Sequence, residues 1–326
     1  MSSNGDIRCV KILFVWSGLN GYMGYCWREL SKCEGIEVKI VVDTANKYFG
    51  GHFNPSIVLN GLEWYDNLED VGNLNLDVVF IVGWRNRICR KASVMKWGGA
   101  KKVCCFDMPW EWSMRKIAAR FVLWRYLRNF DAAFVPGQSA KVYARWLGFK
   151  CECIFTGLYS TTLGRFCNHI GGAGFLFVGR RAKEKGIDIL EKAFLRYKAM
   201  GGTWRLEIVS GVSPDVIGDV YAKADCLILP SIFEPWGVVL LEAAAAGIPI
   251  ICTDKCGARY EVFDGNGFVV KAGSVAKLAD VMLKISCMAD ECRREMGVRG
   301  RILSEEYSCE NWTRRVISIS ESLTRK

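Results

Sequence analysis

Short apolar runs alternate with amphipathic stretches along the whole chain. Continuous apolar runs of strand length are typical of buried parallel strands, and a period near 3.6 residues is typical of helices packed on them. In the first half the pattern predicts strands over Val10–Trp16, Val38–Asp43, Asp77–Gly83, Lys101–Asp107 and Ala132–Pro136, and helices over about Met23–Lys32, Trp112–Asn129 and Ser139–Leu147. In the second half it predicts strands over Gly174–Gly179, Arg205–Gly211, Cys226–Pro230 and Ile248–Thr253. This alternation indicates an α/β protein with two doubly wound sheets.

The segment Leu227–Pro249, LILPSIFEPWGVVLLEAAAAGIP, is typical of a strand, a tight turn and a short helix. Pro235 suits the start of that helix, because its missing N–H has no acceptor to lose there. The backbone N–H groups near Trp236, Gly237 and Val238 are then expected at the carboxyl edge of the sheet. A helix N-terminus at that edge favours an anion such as a diphosphate.

Two glutamates belong to the same segment. Glu234 precedes the predicted helix and Glu242 lies within it, in the sequence LLEAAAAG. A carboxylate among residues that are usually buried needs a polar partner or a ligand to offset its desolvation. The spacing alone also arises by chance, so the apolar context of Glu242 makes the pair a candidate site.

A second candidate is the connection after the predicted strand Phe175–Val178. Gly179 marks a turn, and Arg180 and Lys185 follow in the connection to a predicted amphipathic helix. Open α/β sheets bind ligands at such strand-to-helix connections, and two cations there suit a diphosphate. The alternative is a solvated basic loop, because neighbouring residues are also charged.

Both segments resemble one family. Glu234-Pro-Trp-Gly-x4-Glu242-Ala-x-Ala-x-Gly resembles the Glu-x7-Glu signature of retaining GT-B glycosyltransferases of family 4, and FLFVGRRAKEKGIDILEKAF (Phe175–Phe194) is similar to that family's Val-Gly-Arg turn and Glu-Lys-Gly segment. The resemblance implies two Rossmann-like domains that face a cleft. It also implies a hexosyltransferase of polysaccharide or glycoconjugate biosynthesis. Such an enzyme moves a sugar from a nucleotide-diphosphate sugar to a hydroxyl of a glycan, lipid-linked or other glycoconjugate acceptor and retains the anomeric configuration.

The resemblance also implies residue roles. Arg180 and Lys185 would neutralise the leaving diphosphate, Glu234 would contact the transferred sugar, and Glu242 would bind the ribose hydroxyls. Together with the helix N–H groups, these cations stabilise charge that develops in the transition state. The sequence contains no Asp-x-Asp motif for a divalent cation. We therefore expect a metal-independent reaction that needs no cofactor.

The first half contributes weaker candidates. Gly21 and Gly24 follow the first strand and are candidates to approach the donor diphosphate, although glycine-rich turns are common there and G-x-G-x-x-G is not matched. Asp107 lies in a segment that resembles an Asp-Asn-Pro-Trp segment of some relatives. It is a candidate for acceptor contact or proton handling, and the alternative is a helix cap. Many relatives have a histidine near this place, whereas this chain has only His52 and His169.

A second departure concerns the nucleotide base. Only residues 212–224 separate two predicted strands, where most relatives insert a further strand and helix. Gly211, Val212 and Ser213 could close the base pocket directly. The alternative function is a non-catalytic sugar-nucleotide-binding or partner subunit, and a phosphorylase with the same fold is a third option that no pyridoxal-phosphate lysine context favours.

The domain organisation follows from the two sheets. We predict an acceptor-side N-terminal Rossmann-like domain over residues 1–162 and a nucleotide-sugar-binding domain over 163–308. The final helix, over 309–326, is expected to pack back on the first domain. The linker falls in Tyr159–Gly174, which has a Gly-Gly pair and no sustained periodicity.

The formal net charge is +10, and part of the excess is local. Trp112–Phe130 contains five cations and no acid: Arg115, Lys116, Arg120, Arg125 and Arg128. Interleaved apolar residues suit an amphipathic helix on an anionic membrane, and they equally suit a core-packing helix with a solvated basic face. No nucleic-acid-binding module is recognisable, so nucleic acid is not an expected partner.

The location of the protein is suggested by what the sequence lacks. The start MSSNGDIRCVK has no signal-peptide hydrophobic region, and no apolar run has the length of a membrane span. The fifteen cysteines form no C-x-x-C pair, which favours reduced thiols. We expect a cytoplasmic protein, at most peripheral on the inner face of a membrane.

Overall fold

The computed structural model describes residues 9–19, 21–44, 54–166, 171–172, 174–212 and 216–325. The chain divides into two compact units. The first comprises the residues up to Pro136, residues 140–158 and the segment from Cys309, and the second comprises residues 137–139 and 159–308. The predicted boundaries at 162 and 308 stay predictions, because compactness alone does not define a domain that folds by itself.

The first unit is built on a parallel sheet. Its strands are β1 (Val10–Trp16), β2 (Ile36–Val42), β3 (Glu63–Tyr65), β4 (Val78–Val82), β5 (Lys101–Cys105), β6 (Ala132–Val135) and β7 (Ile154–Thr156). Their order is β3-β2-β1-β4-β5-β6-β7. The order reverses between β1 and β4, as in doubly wound folds.

Helices flank this sheet. They are α1 (Gly21–Ser31), α2 (Pro55–Val58), α3 (Arg87–Val94), α4 (Met114–Val122), α5 (Trp124–Leu127) and α6 (Gln138–Leu147), with α12 (Cys309–Thr324) returning from the end of the chain. The C-terminal helix packs on α1. Trp312 is fully buried, and its indole N–H donates to the carbonyl of Leu158 at 2.9 Å. Phe14 of β1 packs against both Phe80 and Trp312, whose ring centroids lie 5.0 and 5.8 Å from its own.

Several first-unit elements differ from the prediction. The helix predicted over Trp112–Asn129 is wrong as one element, because α4 ends at Val122 and a new turn begins at Trp124. Ser113 is the N-cap of α4, and its hydroxyl accepts from the N–H of Lys116. The edge strands β3 and β7 were not predicted, nor were α2 and α3.

The second unit has a smaller parallel sheet. Its strands are β8 (Gly174–Val178), β9 (Arg205–Val209), β10 (Cys226–Leu229), β11 (Ile250–Thr253) and β12 (Gly267–Val270), in the order β12-β11-β10-β8-β9. Its helices are α7 (Ile187–Ala199), α8 (Ile217–Ala222), α9 (Val238–Ala246), α10 (Val275–Ser286) and α11 (Asp290–Glu305). The two parallel, doubly wound α/β units confirm the predicted fold class. The order of the second sheet reverses between β8 and β10, so ligands are expected at the carboxyl ends of these two strands.

Candidate functional site

Three loops meet at the carboxyl edge of the second sheet. They follow β8, β10 and β11, and backbone hydrogen bonds join them. The N–H of Ile232 donates to the carbonyl of Glu184 at 2.9 Å, which joins the first loop to the second. The N–H of Glu234 donates to the carbonyl of Lys255 at 3.2 Å, and the N–H of Gly257 donates to the carbonyl of Glu234 at 3.0 Å. Glu234 is therefore held on both sides by the loop after β11.

Two glycines let these loops approach one another closely. Gly186 has a φ of +69°, and a Cβ there would lie 2.3 Å from the carbonyl oxygen of Pro230. A Cβ on Gly257 would lie 1.9 Å from the carbonyl oxygen of Pro235. Both distances are far below van der Waals contact, so neither position accepts a side chain without a backbone shift. Glycine is therefore required at position 186 of the Glu-Lys-Gly segment for two reasons, the left-handed backbone conformation and the close packing against Pro230.

Lys185 and Glu234 form an ion pair between two of these loops. The lysine ammonium contacts a Glu234 carboxylate oxygen, and only 18% and 9% of the two side chains are exposed. Such a shielded pair is screened little by salt. Lys185 and Glu234 are distant in sequence. The order of the strands, with β8 beside β10, brings these two predicted site residues together.

Helix α9 begins beside this pair, but not where the sequence predicts. Its first residue is Val238, and Gly237 is the N-cap with a φ of 99°. The expectation that Pro235 starts the helix is wrong. Gly237 has a left-handed backbone conformation, so helical geometry begins only after it, at Val238. A Cβ on Gly237 would lie 3.2 Å from Cγ of Glu234, which places this glutamate against the helix N-terminus.

The N-terminus of α9 offers free backbone donors. Within the described part of the chain, the N–H groups of Gly237, Val238 and Val239 donate to no backbone or side-chain acceptor. They can therefore bind an anion. The ring of Trp236 packs in the core near Tyr307, and its indole N–H is buried without an acceptor among the described residues.

Glu242 lies inside α9 and has its own partner. Burial raises the pKa of Glu242 to about 6, and a hydrogen bond from the Tyr221 hydroxyl at 2.8 Å opposes that rise. Burial also raises the pKa of Tyr221 well above its ordinary value, so its hydroxyl stays protonated and donates. No sequence pattern points to Tyr221, since one tyrosine in a short helix gives no signal.

A change of Glu242 to glutamine tests its environment. A folded-state pKa above the unfolded one favours folding at low pH, and this contribution is lost as the pH rises through about 6. The wild type should therefore lose about 2 kcal/mol relative to Glu242→Gln between pH 4.5 and 7.5. Urea unfolding of both proteins across this range measures the difference. A difference that does not change with pH would contradict the assigned pKa.

Arg180 occupies a different position from Lys185. Its side chain is 70% exposed and pairs with Glu184 at 3.3 Å, within the same loop. It contacts neither Lys185 nor Glu234 in the described structure. The two predicted cations therefore differ, since Lys185 is shielded and pairs with Glu234, whereas Arg180 is exposed and pairs within its own loop.

The first-unit candidates lie after β1 and after β5. Gly21 is the first residue of α1, and Gly24 lies inside that helix, where a Cβ would be 2.4 Å from the carbonyl oxygen of Val58. The close approach that Gly24 permits is thus to protein backbone. Asp107 is partly buried two residues beyond the end of β5. It is not the cap of α4, since Ser113 caps that helix.

The segment predicted to be shortened contains helix α8 but no additional strand among its described residues. Gly211 has a φ of 70°, and Ser213 lies outside the described residues. Of the described histidines, cysteines, aspartates and glutamates, no three are grouped as metal ligands. None of the described helices is long and apolar enough to cross a membrane.

The two parallel, doubly wound sheets define a fold class, that of the two-domain GT-B proteins. Solved structures confirm this fold. A glycosyltransferase from Rickettsia africae aligns with a TM-score of 0.74 at 14% identity, covering 97% of this chain and 99% of that chain. Anabaena HepE in complex with UDP aligns with a TM-score of 0.73 at 13% identity, covering 96% and 100%.

The sequence comparison is more specific. Residues 198–301 match the family model of glycosyl transferases group 1, which confirms the resemblance at the level of that family. An uncharacterized glycosyltransferase of Methanocaldococcus jannaschii is 27% identical over 169 residues, 46% of this chain. The chain matches only 48% of the length of that relative.

Proposed function

We propose that the protein is a retaining glycosyltransferase, which moves a hexose from a nucleotide-diphosphate sugar to a hydroxyl acceptor. The observation that carries the proposal is the shielded Lys185–Glu234 pair at the N-terminus of α9, beside the switch point of the second sheet. The match of residues 198–301 to glycosyl transferases group 1 supports sugar transfer.

The chemistry follows from charge. Breaking the anomeric C–O bond leaves negative charge on the diphosphate and positive charge on the sugar. The free N–H groups at the start of α9 are fixed donors for the diphosphate, and they gain strength as its charge grows. Lys185 supplies a cation next to them, and the exposed Arg180 can swing in from its contact with Glu184. Interactions that strengthen in the transition state raise the rate.

The two glutamates then have separate functions. A diphosphate at the start of α9 would compete with Glu234 for Lys185, which frees the Glu234 carboxylate to accept hydrogen bonds from the sugar. Glu242 would bind the ribose hydroxyls, with Tyr221 holding one of its oxygens. In this proposal the leaving phosphate helps to deprotonate the acceptor, so no side chain acts as a nucleophile. Asp107 remains the first-unit candidate for acceptor contact.

The acceptor we propose is a glycan, lipid-linked or other glycoconjugate hydroxyl. For the donor base, uridine is the first candidate, because the Anabaena neighbour was solved with UDP. The positive charge of Lys185 and Arg180 serves in place of a divalent cation.

Turnover of nucleotide sugars tests this proposal. The protein is incubated with uridine, guanosine, thymidine, adenosine and cytidine diphosphate sugars and a glycolipid extract. We expect release of one nucleoside diphosphate, an unchanged rate in excess chelator, and an NMR signal of the product with the donor's anomeric configuration. An inverted anomer would contradict retention, and loss of the rate in chelator would contradict metal independence.

A second candidate function is a subunit that binds a sugar nucleotide without turnover. The observation that favours it is that the described residues between β9 and β10 form one helix, α8, and no additional strand to frame a nucleotide base. Binding of a donor with no release of its diphosphate under any of these conditions would favour this function.

A further inference from the structure

Helix α4 presents apolar side chains to solvent. The exposed fractions are 81% for Met114, 76% for Phe121 and 77% for Val122, and Trp112 just before the helix is 82% exposed. Soluble proteins scatter such residues singly, whereas a contiguous group marks an interaction site. We name this group, with Trp124 at 56% exposure, the α4 ridge.

The spacing places the three ridge residues that belong to α4 on one face of the helix. Met114, Ala118, Phe121 and Val122 follow the i, i+4, i+7, i+8 pattern of a continuous apolar stripe. In a helix packed on a core this stripe faces inward. Here the buried residue of α4 is Lys116, which is only 7% exposed, and Ala119 packs beside it against the core. The apolar stripe therefore has no covering element among the described residues.

The partners of the buried Lys116 explain how α4 tolerates a cation on its inner face and apolar residues on its outer face. The Lys116 ammonium donates to the carbonyl of Pro109 and lies 3.3 Å from a carboxylate oxygen of Glu111. It also lies 5.6 Å from the ring centroid of Tyr143. The acid nearest to the ridge in sequence is thus paired with a buried cation.

The charges within residues 112–130 are all positive. Arg115, Arg120, Arg125 and Arg128 are exposed, and residues 112–130 contain no acid. The guanidinium of Arg128 lies 5.0 Å from the ring centroid of Trp124, and that of Arg120 lies 6.0 Å from the ring centroid of Trp146. Tryptophan and arginine together suit the boundary between lipid headgroups and acyl chains.

We propose that the α4 ridge docks on an anionic membrane surface. The sequence left open a core-packing helix with a solvated basic face, but the solvated face is apolar as well as basic. Apolar side chains gain by burial below the headgroups, and arginines gain from anionic lipids at their level. A protein partner of complementary charge would have to supply several acids around an apolar groove, whereas an anionic membrane supplies both features at once. The inference does not depend on the proposed sugar transfer.

Vesicle co-sedimentation of the full chain tests the proposal. One set of vesicles is phosphatidylcholine, and the other contains an equal amount of phosphatidylglycerol. We expect binding to the anionic set that weakens with salt. Phe121→Ser with Val122→Ser should reduce the partition coefficient at least tenfold, because the variant no longer buries one aromatic and one aliphatic side chain in the membrane. Arg115→Gln with Arg125→Gln should reduce the partition coefficient about 30-fold, because each arginine near an anionic surface contributes a factor of about five.

The matched control is a second exposed apolar pair. Val298 and Ile302 lie one turn apart on α11 and are 60% and 62% exposed. Val298→Ser with Ile302→Ser should leave vesicle binding unchanged. The altered side chains in all three variants are exposed, so their melting temperatures should match the wild type.

Three results would overturn the proposal. The first is equal binding of wild type to neutral and anionic vesicles. The second is unchanged binding of the Phe121 and Val122 variant. The third is absence of vesicle binding together with a concentration-dependent dimer that the same variant abolishes, which would assign the ridge to a second copy of the chain. Donor binding measured in parallel separates failure of this proposal from failure of the proposed function.

Discussion

Replacing Lys185 by alanine is expected to lower the single-turnover rate of sugar transfer by about 10²- to 10³-fold, the usual cost of one preorganised donor to a developing anion. Lys185 is held by Glu234 beside the N-terminus of α9, so its cation is in place before the donor arrives. Stability should also fall, by up to about 3 kcal/mol, because Glu234 is left shielded and unpaired. Rapid-quench release of nucleoside diphosphate measures the rate, and urea unfolding measures the stability.

The control for this variant is Lys183→Ala. Lys183 has the same charge and lies in the same loop, but it is exposed and has no carboxylate partner in the described structure. Its removal should leave both rate and stability close to the wild type. Equal rate losses in the two variants would show that loop charge alone is responsible and would remove Lys185 from the proposed chemistry.

Replacing Gly257 by alanine is expected to displace the Glu234 loop. A Cβ at this buried position would lie 1.9 Å from the carbonyl oxygen of Pro235, which is backbone and cannot rotate away. Overpacking of this kind costs about 1–3 kcal/mol, and we expect the upper end of that range. Because Gly257 also donates its N–H to Glu234, nucleoside diphosphate affinity should fall at least about tenfold.

Gly164→Ala is the matched substitution for comparison. Gly164 is exposed in the same unit, and a Cβ there would meet no atom within 4 Å. It should leave urea unfolding and nucleotide titration by calorimetry unchanged. Wild-type affinity in Gly257→Ala would mean that the loop after β11 does not position Glu234.

The sequence predicts those elements whose burial leaves a long apolar run. β1 was predicted with its observed ends, and β10 and β11 within two residues of theirs, because both faces of each strand are buried. Strand β3 could not be predicted, because it has three residues at a sheet edge and begins with Glu63. Helix α4 was joined to α5, since nothing in their composition marks the turn at Leu123.

The individual residues of the candidate site could be predicted from the sequence, but the contacts between them could not. The charged connection after β8 indicated Lys185 as a phosphate contact, and the family resemblance implied that Glu234 contacts the sugar. Their contact with each other depends on strand order, which places β8 beside β10 although β9 lies between them in sequence. The hydrogen bond from Tyr221 to Glu242 depends on how α8 packs on α9. No local pattern encodes such a contact.

The most direct test is a thermal-shift panel with the nucleoside diphosphates of uridine, guanosine, thymidine, adenosine and cytidine. A ligand that binds only the folded protein raises the melting temperature by mass action. We predict a selective rise with one of them that is lost in Glu242→Ala and Lys185→Ala and kept in Lys183→Ala. No rise with any of the five, or a rise that both site variants retain, would contradict a donor site at the start of α9.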